Sequence, residues 1–357
     1  MSPAGPHRDP ALLRMAHAVL MPGFESVPGY GGGARTPDWL ARAIDAGLGA
    51  VCCFAPNLAA DPAALTRELH GRRADLLVTS DEEGGRVTRL HAAAGSPYPG
   101  HGELGTADDV DRTRSVAEAM GRELRDVGID AALAPVLDVN VDPRNPVIGD
   151  RAFGADAALV ARHGVAFAQG LAAAGTLAAG KHFPGHGDTA VDSHTALPVI
   201  DVDLPTLHRR ELVPFGAAVD AGVPMVMSGH IVIPALDDAP ASLSPRCYAL
   251  LRTELGFTGA AVTDALDMRA VTGFLAAPGT VAGVARGAVA ALRAGADLLC
   301  LGNPYNGPEK DEEIFRAALE AVLTAVADGT VPPGRLAEAA DRVARLPAAV
   351  PHRGGGH

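Results

Sequence analysis

Eight short apolar runs, each followed by a stretch with helical spacing, constrain this chain more than any other feature in it. The runs lie near Ala16–Pro22, Gly49–Phe54, Asp75–Ser80, Asp130–Val136, Thr176–Lys181, Met225–Ser228, Ala260–Thr263 and Asp297–Leu301. Several are nearly continuous in Val, Leu, Ala and Ile, as strands buried on both faces should be. Helical patterns such as Asp108–Val127, Asp156–Ala174 and Leu207–Ala221 separate them, and two more, Asp311–Ala327 and Gly334–Leu346, close the chain. This alternation is the mark of repeated βα units around a parallel sheet. Eight units in 357 residues predict an α/β fold of one closed (β/α)8 TIM barrel. An open doubly wound sheet would call for GxGxxG after the first strand. The stretch Gly29–Gly33 reads Gly-Tyr-Gly-Gly-Gly, lacks that spacing and opens no clear helix, so it reads as a loop. The expectation is one domain over residues 11–350, with disordered tails at 1–10 and 351–357.

Composition narrows the partners. Thirty Lys and Arg stand against 42 Asp and Glu, a formal charge of −12, whereas a nucleic-acid or anionic-membrane partner calls for a basic face. No run of ~18 apolar residues suggests a membrane span. Residues 1–10 lack the apolar core of a secretion signal. The four cysteines, Cys52, Cys53, Cys247 and Cys300, show no CxxC spacing and read as buried thiols of a cytoplasmic protein. The pattern leaves the oligomeric state open.

Catalytic groups of such a barrel sit where strands end and βα loops begin. Ionisable residues crowd those places here. The third run leads into Ser80-Asp81-Glu82-Glu83-Gly84-Gly85-Arg86, and the fourth ends at Leu137-Asp138, with Asp150 and Arg151 in the loop beyond. The sixth is followed by His230 and the seventh by Asp264. After the fifth, Pro184, Gly185 and Gly187 break any helix, so 181–194 is expected as an irregular loop over the mouth. It carries Lys181, His182, His186, Asp188, Asp192 and His194. Asp264, at the rim of an apolar strand, suits two roles equally: a cap for the next helix, or a rigidly held nucleophile. A carboxylate that attacks an anomeric carbon and a second group that protonates the leaving oxygen suffice for glycoside cleavage with retention. Histidine can be that second group when an aspartate supports its charged form, and Asp192 and His194 suit such a dyad.

At these residues the chain resembles family 3 glycoside hydrolases, in particular their single-domain bacterial β-N-acetylhexosaminidases. The resemblance runs from about Val19 to about Pro304. It is carried above all by Lys181-His182-Phe183-Pro184-Gly185-His186-Gly187-Asp188-Thr189 with Asp192-Ser193-His194. Asp81-Glu82-Glu83-Gly84-Gly85-Arg86-Val87 with Arg89, Val147–Phe153, and Thr263-Asp264-Ala265-Leu266-Asp267-Met268 support it. The resemblance implies that Asp264 is the nucleophile and that Asp192 and His194 form the acid/base dyad. It implies that Asp81, Arg89, Arg151, Lys181 and His182 hydrogen-bond the sugar. It further implies no metal or organic cofactor, and no second α/β domain of the kind larger relatives carry. The implied substrate is a terminal β-linked N-acetylglucosaminide, such as a muropeptide met in cell-wall recycling. Glu82 stands where Gln is usual, and Thr263 where Ser is common.

Other chemistries compete for the same residues. His182, His186, His194 and Asp188 are potential zinc ligands, and Lys181 is a potential Schiff-base amine. A phosphorylase would use the same dyad, with phosphate replacing water. A non-catalytic sugar-binding barrel would be expected to have lost Asp264 or His194, and the chain has both.

Overall fold

The computed structural model describes residues 9–28, 34–189, 197–305 and 310–349. Eight parallel strands form a ring among them: β1 Leu20–Met21, β2 Ala50–Cys53, β3 Leu77–Ser80, β4 Ala131–Ala132, β5 Leu177–Phe183, β6 Met225–Ser228, β7 Ala260–Thr263 and β8 Leu299–Cys300. β2 to β8 follow one another around the ring. Leu20 pairs with Leu299 to close it, while Gly23 bridges to Cys52 and Val262 to Leu298.

Alternation along the strands separates two cores. Met21, Ala50, Cys52, Leu77, Leu177, Ala179, Met225, Met227, Ala260, Val262 and Cys300 fill the barrel interior. Their neighbours Leu20, Val51, Val78, Ala178, Val226, Ala261 and Leu299 pack outward against the helices. Val343 and Leu346, at the end of helix Pro333–Arg345, join the interior cluster. The helices Val110–Asp126 and Ala157–Ala173 begin at Asp109 and Asp156, whose side chains accept from the N–H groups of Arg112 and Leu159. These two helices pack closely because Gly170 offers no Cβ; one there would lie 2.3 Å from the Arg114 carbonyl oxygen.

Some expected boundaries shift. The first run was expected to be strand from Ala16, but Ala16–Ala18 end the helix Pro10–Ala18 and only Leu20–Met21 pair as strand. That helix starts at Pro10 with Asp9 as its cap, so these two residues belong to structure rather than to a tail. The fourth strand is short because Pro135 has no N–H to continue the ladder, although Lys181 N still donates to the Pro135 carbonyl. The loop expected from 181 begins later: β5 continues through Lys181 and His182 to Phe183. No helix among the described residues is long and apolar enough to cross a membrane.

Candidate active site

The strand period that fills the barrel also delivers the site. Leu77 and Thr79 point inward, Thr79 donating to Met21 Sδ, and two residues on is Asp81. Leu177 and Ala179 lead in the same way to Lys181, and Ala260 and Val262 to Asp264. Each polar residue thus occupies the next inward rung of an apolar strand, at its C-terminal end. Together they line a cavity of about 300 Å³, with Glu83, Arg89, Arg151 and His182 among its walls and Met227 below. That volume is at the lower end of the ~300–1,000 Å³ usual for small-molecule sites.

One wall is an ion network. Lys181 Nζ lies 2.8 Å from Asp81 Oδ1 and 2.7 Å from Glu83 Oε1. Arg89 Nη2 donates to the other oxygen of Asp81 at 3.1 Å. Arg151 grips Glu83 with two bonds, Nε to Oε2 at 2.8 Å and Nη2 to Oε1 at 2.7 Å. Burial works to raise the carboxyl of Asp81, but Lys181 and Arg89 outweigh it and hold that group at about 2. Glu83 is likewise held well below its ordinary value, burial being overcome by Arg151 and Lys181. Lys181 moves the other way: burial opposes its charge, and Asp81 with Glu83 more than restores it. The two carboxylates at 2.8 and 2.7 Å thus favour the ammonium form of Lys181, whereas a Schiff-base mechanism uses the free amine.

A second part of the site rests on Asp138. Its Oδ1 accepts from the backbone N–H groups of His182 (3.1 Å) and His186 (2.7 Å), and its Oδ2 accepts from His182 Nδ1 at 2.7 Å. This fully buried carboxylate is held below its ordinary value, burial being outweighed chiefly by His182. It therefore sets both the turn after β5 and the orientation of the His182 ring, fixing the proton on Nδ1. His186 packs edge-on to His182 with ring centroids 5.9 Å apart, and burial lowers its imidazole to about 4.

Asp264 faces these groups from β7. Its Oδ1 accepts from Ala265 N at 2.8 Å. It is not the cap of the following helix, which starts at Arg269 with Met268 before it. Burial alone would raise its carboxyl, but His230, His182, the Ala265 N–H and Lys181 prevail, so it stays ionised below the ordinary range. His230 is fixed in turn by Ser242 Oγ at 2.7 Å and the Ala265 carbonyl at 2.8 Å.

The structure thus brings together Asp81, Arg89, Arg151, Lys181, His182 and Asp264. Asp192 and His194 lie outside the described residues. Glu83 and Asp138 were not singled out for roles from the sequence. Their signal was present, since both sit among the charged residues at strand ends. What the pattern could not give was the partner each would hold. Glu82, beside Asp81 in sequence, turns away from it and accepts from the N–H groups of Arg89 (2.8 Å) and Leu90 (2.7 Å). Among the described residues no three His, Cys, Asp or Glu side chains gather as a metal's ligands.

Comparison with known proteins agrees with this architecture. Residues 43–346 match the Glycosyl hydrolase family 3 N terminal domain. The β-hexosaminidase of Bordetella parapertussis is 37% identical over 308 residues, covering 83% of this chain and 84% of that protein. Beta-hexosaminidase A of Pseudoalteromonas piscicida is 41% identical over 217 residues, 56% of this chain, which spans only 36% of that longer protein. A family 3 β-N-acetylglucosaminidase from Paenibacillus sp. superposes with a TM-score of 0.86 at 37% identity, over 97% of this chain and 64% of that one. The chain belongs to glycosyl hydrolase family 3, as a glycosidase of its β-hexosaminidase branch.

Proposed function

We propose that the chain removes terminal, non-reducing β-linked N-acetylhexosamine, chiefly N-acetylglucosamine, with retention at the anomeric carbon. Asp264 attacks that carbon to form a glycosyl ester, while the Asp192–His194 dyad protonates the leaving oxygen and then takes the proton of water. The observation that carries this reading is that Asp264, its carboxyl held below the ordinary range, lines the same cavity of about 300 Å³ as the Asp81–Lys181–Arg89 network. Carboxylates accept from sugar hydroxyls, and Lys and Arg donate without accepting, so Asp81, Arg89, Arg151, Lys181 and His182 would fix the ring's orientation. No step calls on a metal or organic cofactor.

The substrate's remainder is proposed from the resemblance: anhydromuramic-acid peptides of cell-wall recycling, met in the cytoplasm. The four cysteines are free and buried, in keeping with a reducing compartment.

A paired assay tests the reading. p-Nitrophenyl N-acetyl-β-glucosaminide and the β-glucoside would each be offered in phosphate-free buffer and then with phosphate. Fast release from the first alone, indifferent to phosphate, is expected. Acceleration by phosphate would make the enzyme a phosphorylase, and silence on both would return the barrel to a sugar-binding role.

A further inference from the structure

Beyond the cavity, one charged cluster touches the segment that leads away from β5. Arg210 lies in a π-helical turn, Leu207–Glu211. Its Nη2 donates to Asp188 Oδ2 at 2.6 Å, and its Nε donates to Glu211 Oε1 at 2.6 Å. Glu211 is wholly buried, and its Oε2 has no hydrogen-bond partner among the described residues. That side chain lies directly under Gly185, where an added Cβ would meet Glu211 Cβ and Oε2 at 2.9 Å. The same segment is pinned from its other side. Asn145 Nδ2 donates to the His186 carbonyl at 2.9 Å, and Gly187 packs so closely on Val139 that a Cβ would lie 1.9 Å from its carbonyl oxygen. A buried carboxylate with only one guanidinium to offset its desolvation is costly for stability alone. Single-turn π-bulges are also frequent at functional sites.

We propose that Arg210 is a positioning residue for catalysis. By tying Asp188 to the buried Glu211, it fixes the 184–188 segment between His182 and the acid/base residues Asp192 and His194. Arg210 touches no reacting atom; it acts by holding Asp188, four residues before Asp192, against Glu211. The inference rests on the proposed acid/base role of the dyad. A misplacement of about 1 Å from a distant substitution can cost ~100-fold in rate, and general acid catalysis contributes ~10²–10⁴-fold. Loss of the tie should therefore fall mainly on reactions that need protonation of the leaving group.

The test uses the full chain and two substrates, p-nitrophenyl and methyl N-acetyl-β-glucosaminide, with Arg210→Met, Arg210→Lys, Asp188→Asn, the double variant Arg210→Met with Asp188→Asn, and His194→Ala. For Arg210→Met the expected result is a fall in kcat/KM, which reports formation of the glycosyl ester, of roughly tenfold or more on the methyl glycoside and under about threefold on the aryl one. Arg210→Lys should restore most of the loss. The double variant should be no worse than Arg210→Met, because both changes cut one tie. Asp188 is on the surface side of the contact, so its variant keeps the test open if Arg210→Met folds poorly. Equal falls in kcat/KM on both substrates, or effects of the two changes that simply add, would overturn the proposal. His194→Ala separates the two levels. If it splits the substrates and the Arg210 and Asp188 variants do not, the tie is structural only; if it shows no split, the acid role fails and the positioning role with it.

Discussion

The Lys181 ammonium and the Glu83 carboxylate stand 2.7 Å apart with 2% and 1% of their side chains exposed. The same Glu83 oxygen also accepts from Arg151. Glu83 therefore neutralises two cations of the cavity wall, and Asp81 completes the balance through Lys181 and Arg89. Removing one member of a buried ionic network leaves the others uncompensated.

Glu83→Ala should accordingly lose about 3–5 kcal/mol of stability, because the largely buried Arg151 would lose its carboxylate and Lys181 would keep only Asp81. Urea denaturation followed by circular dichroism measures this. A loss below ~1 kcal/mol would mean that water replaces the carboxylate, as at an exposed pair.

Glu82 makes the opposite prediction, although it is adjacent. Its carboxyl is raised by burial, and its structural task is to accept the Arg89 and Leu90 N–H groups. An amide oxygen accepts as well, so Glu82→Gln should retain stability and activity. Glu82→Leu should cost about 1–3 kcal/mol, because both N–H groups lose their acceptor. Thermal melts of the two variants would show whether they differ in this order.

Much of this site was legible from the sequence, for a physical reason. The interior rungs of a parallel barrel strand are filled by uncharged, mostly apolar side chains, so an ionisable residue at the next inward rung, such as Lys181 or Asp264, stands out at the strand's end. The matched ends of β6 and β7 follow from the same pattern. The first strand was less legible because Ala16–Val19 is as apolar as a strand, yet here it ends a helix that buries Ala16 and His17. Partners were not legible at all. Asp138 and His182 are separated by 44 residues and Glu83 and Arg151 by 68, so only folding reveals that each pair is joined.

Glu211 supplies a pH dependence of stability. Burial, with negative charge from Asp138 and Asp188, raises its carboxyl from 4.5 to about 7, against the pull of Arg210. Its contribution is therefore full below pH 4.5 and is lost as pH rises through about 7. Glu211→Gln carries no such titration. The melting temperature of the parent should fall relative to this variant between pH 5 and pH 8, by about 2–4 °C for each kcal/mol. Parallel curves across that range would place the titration elsewhere.

In the proposed mechanism Asp264 forms a covalent bond to the sugar. Asp264→Asn should lower turnover by about 10⁴-fold or more while its melting curve stays close to the parent's. The most direct measurement uses a 5-fluoro N-acetylglucosaminyl fluoride, chosen so that the glycosyl ester forms faster than it hydrolyses, followed by mass spectrometry of the digested protein. One glycosyl unit is expected on the peptide containing Asp264, absent from Asp264→Asn and lost on incubation with an acceptor. A label on another residue, or an unlabelled protein that releases product of inverted configuration, would contradict it.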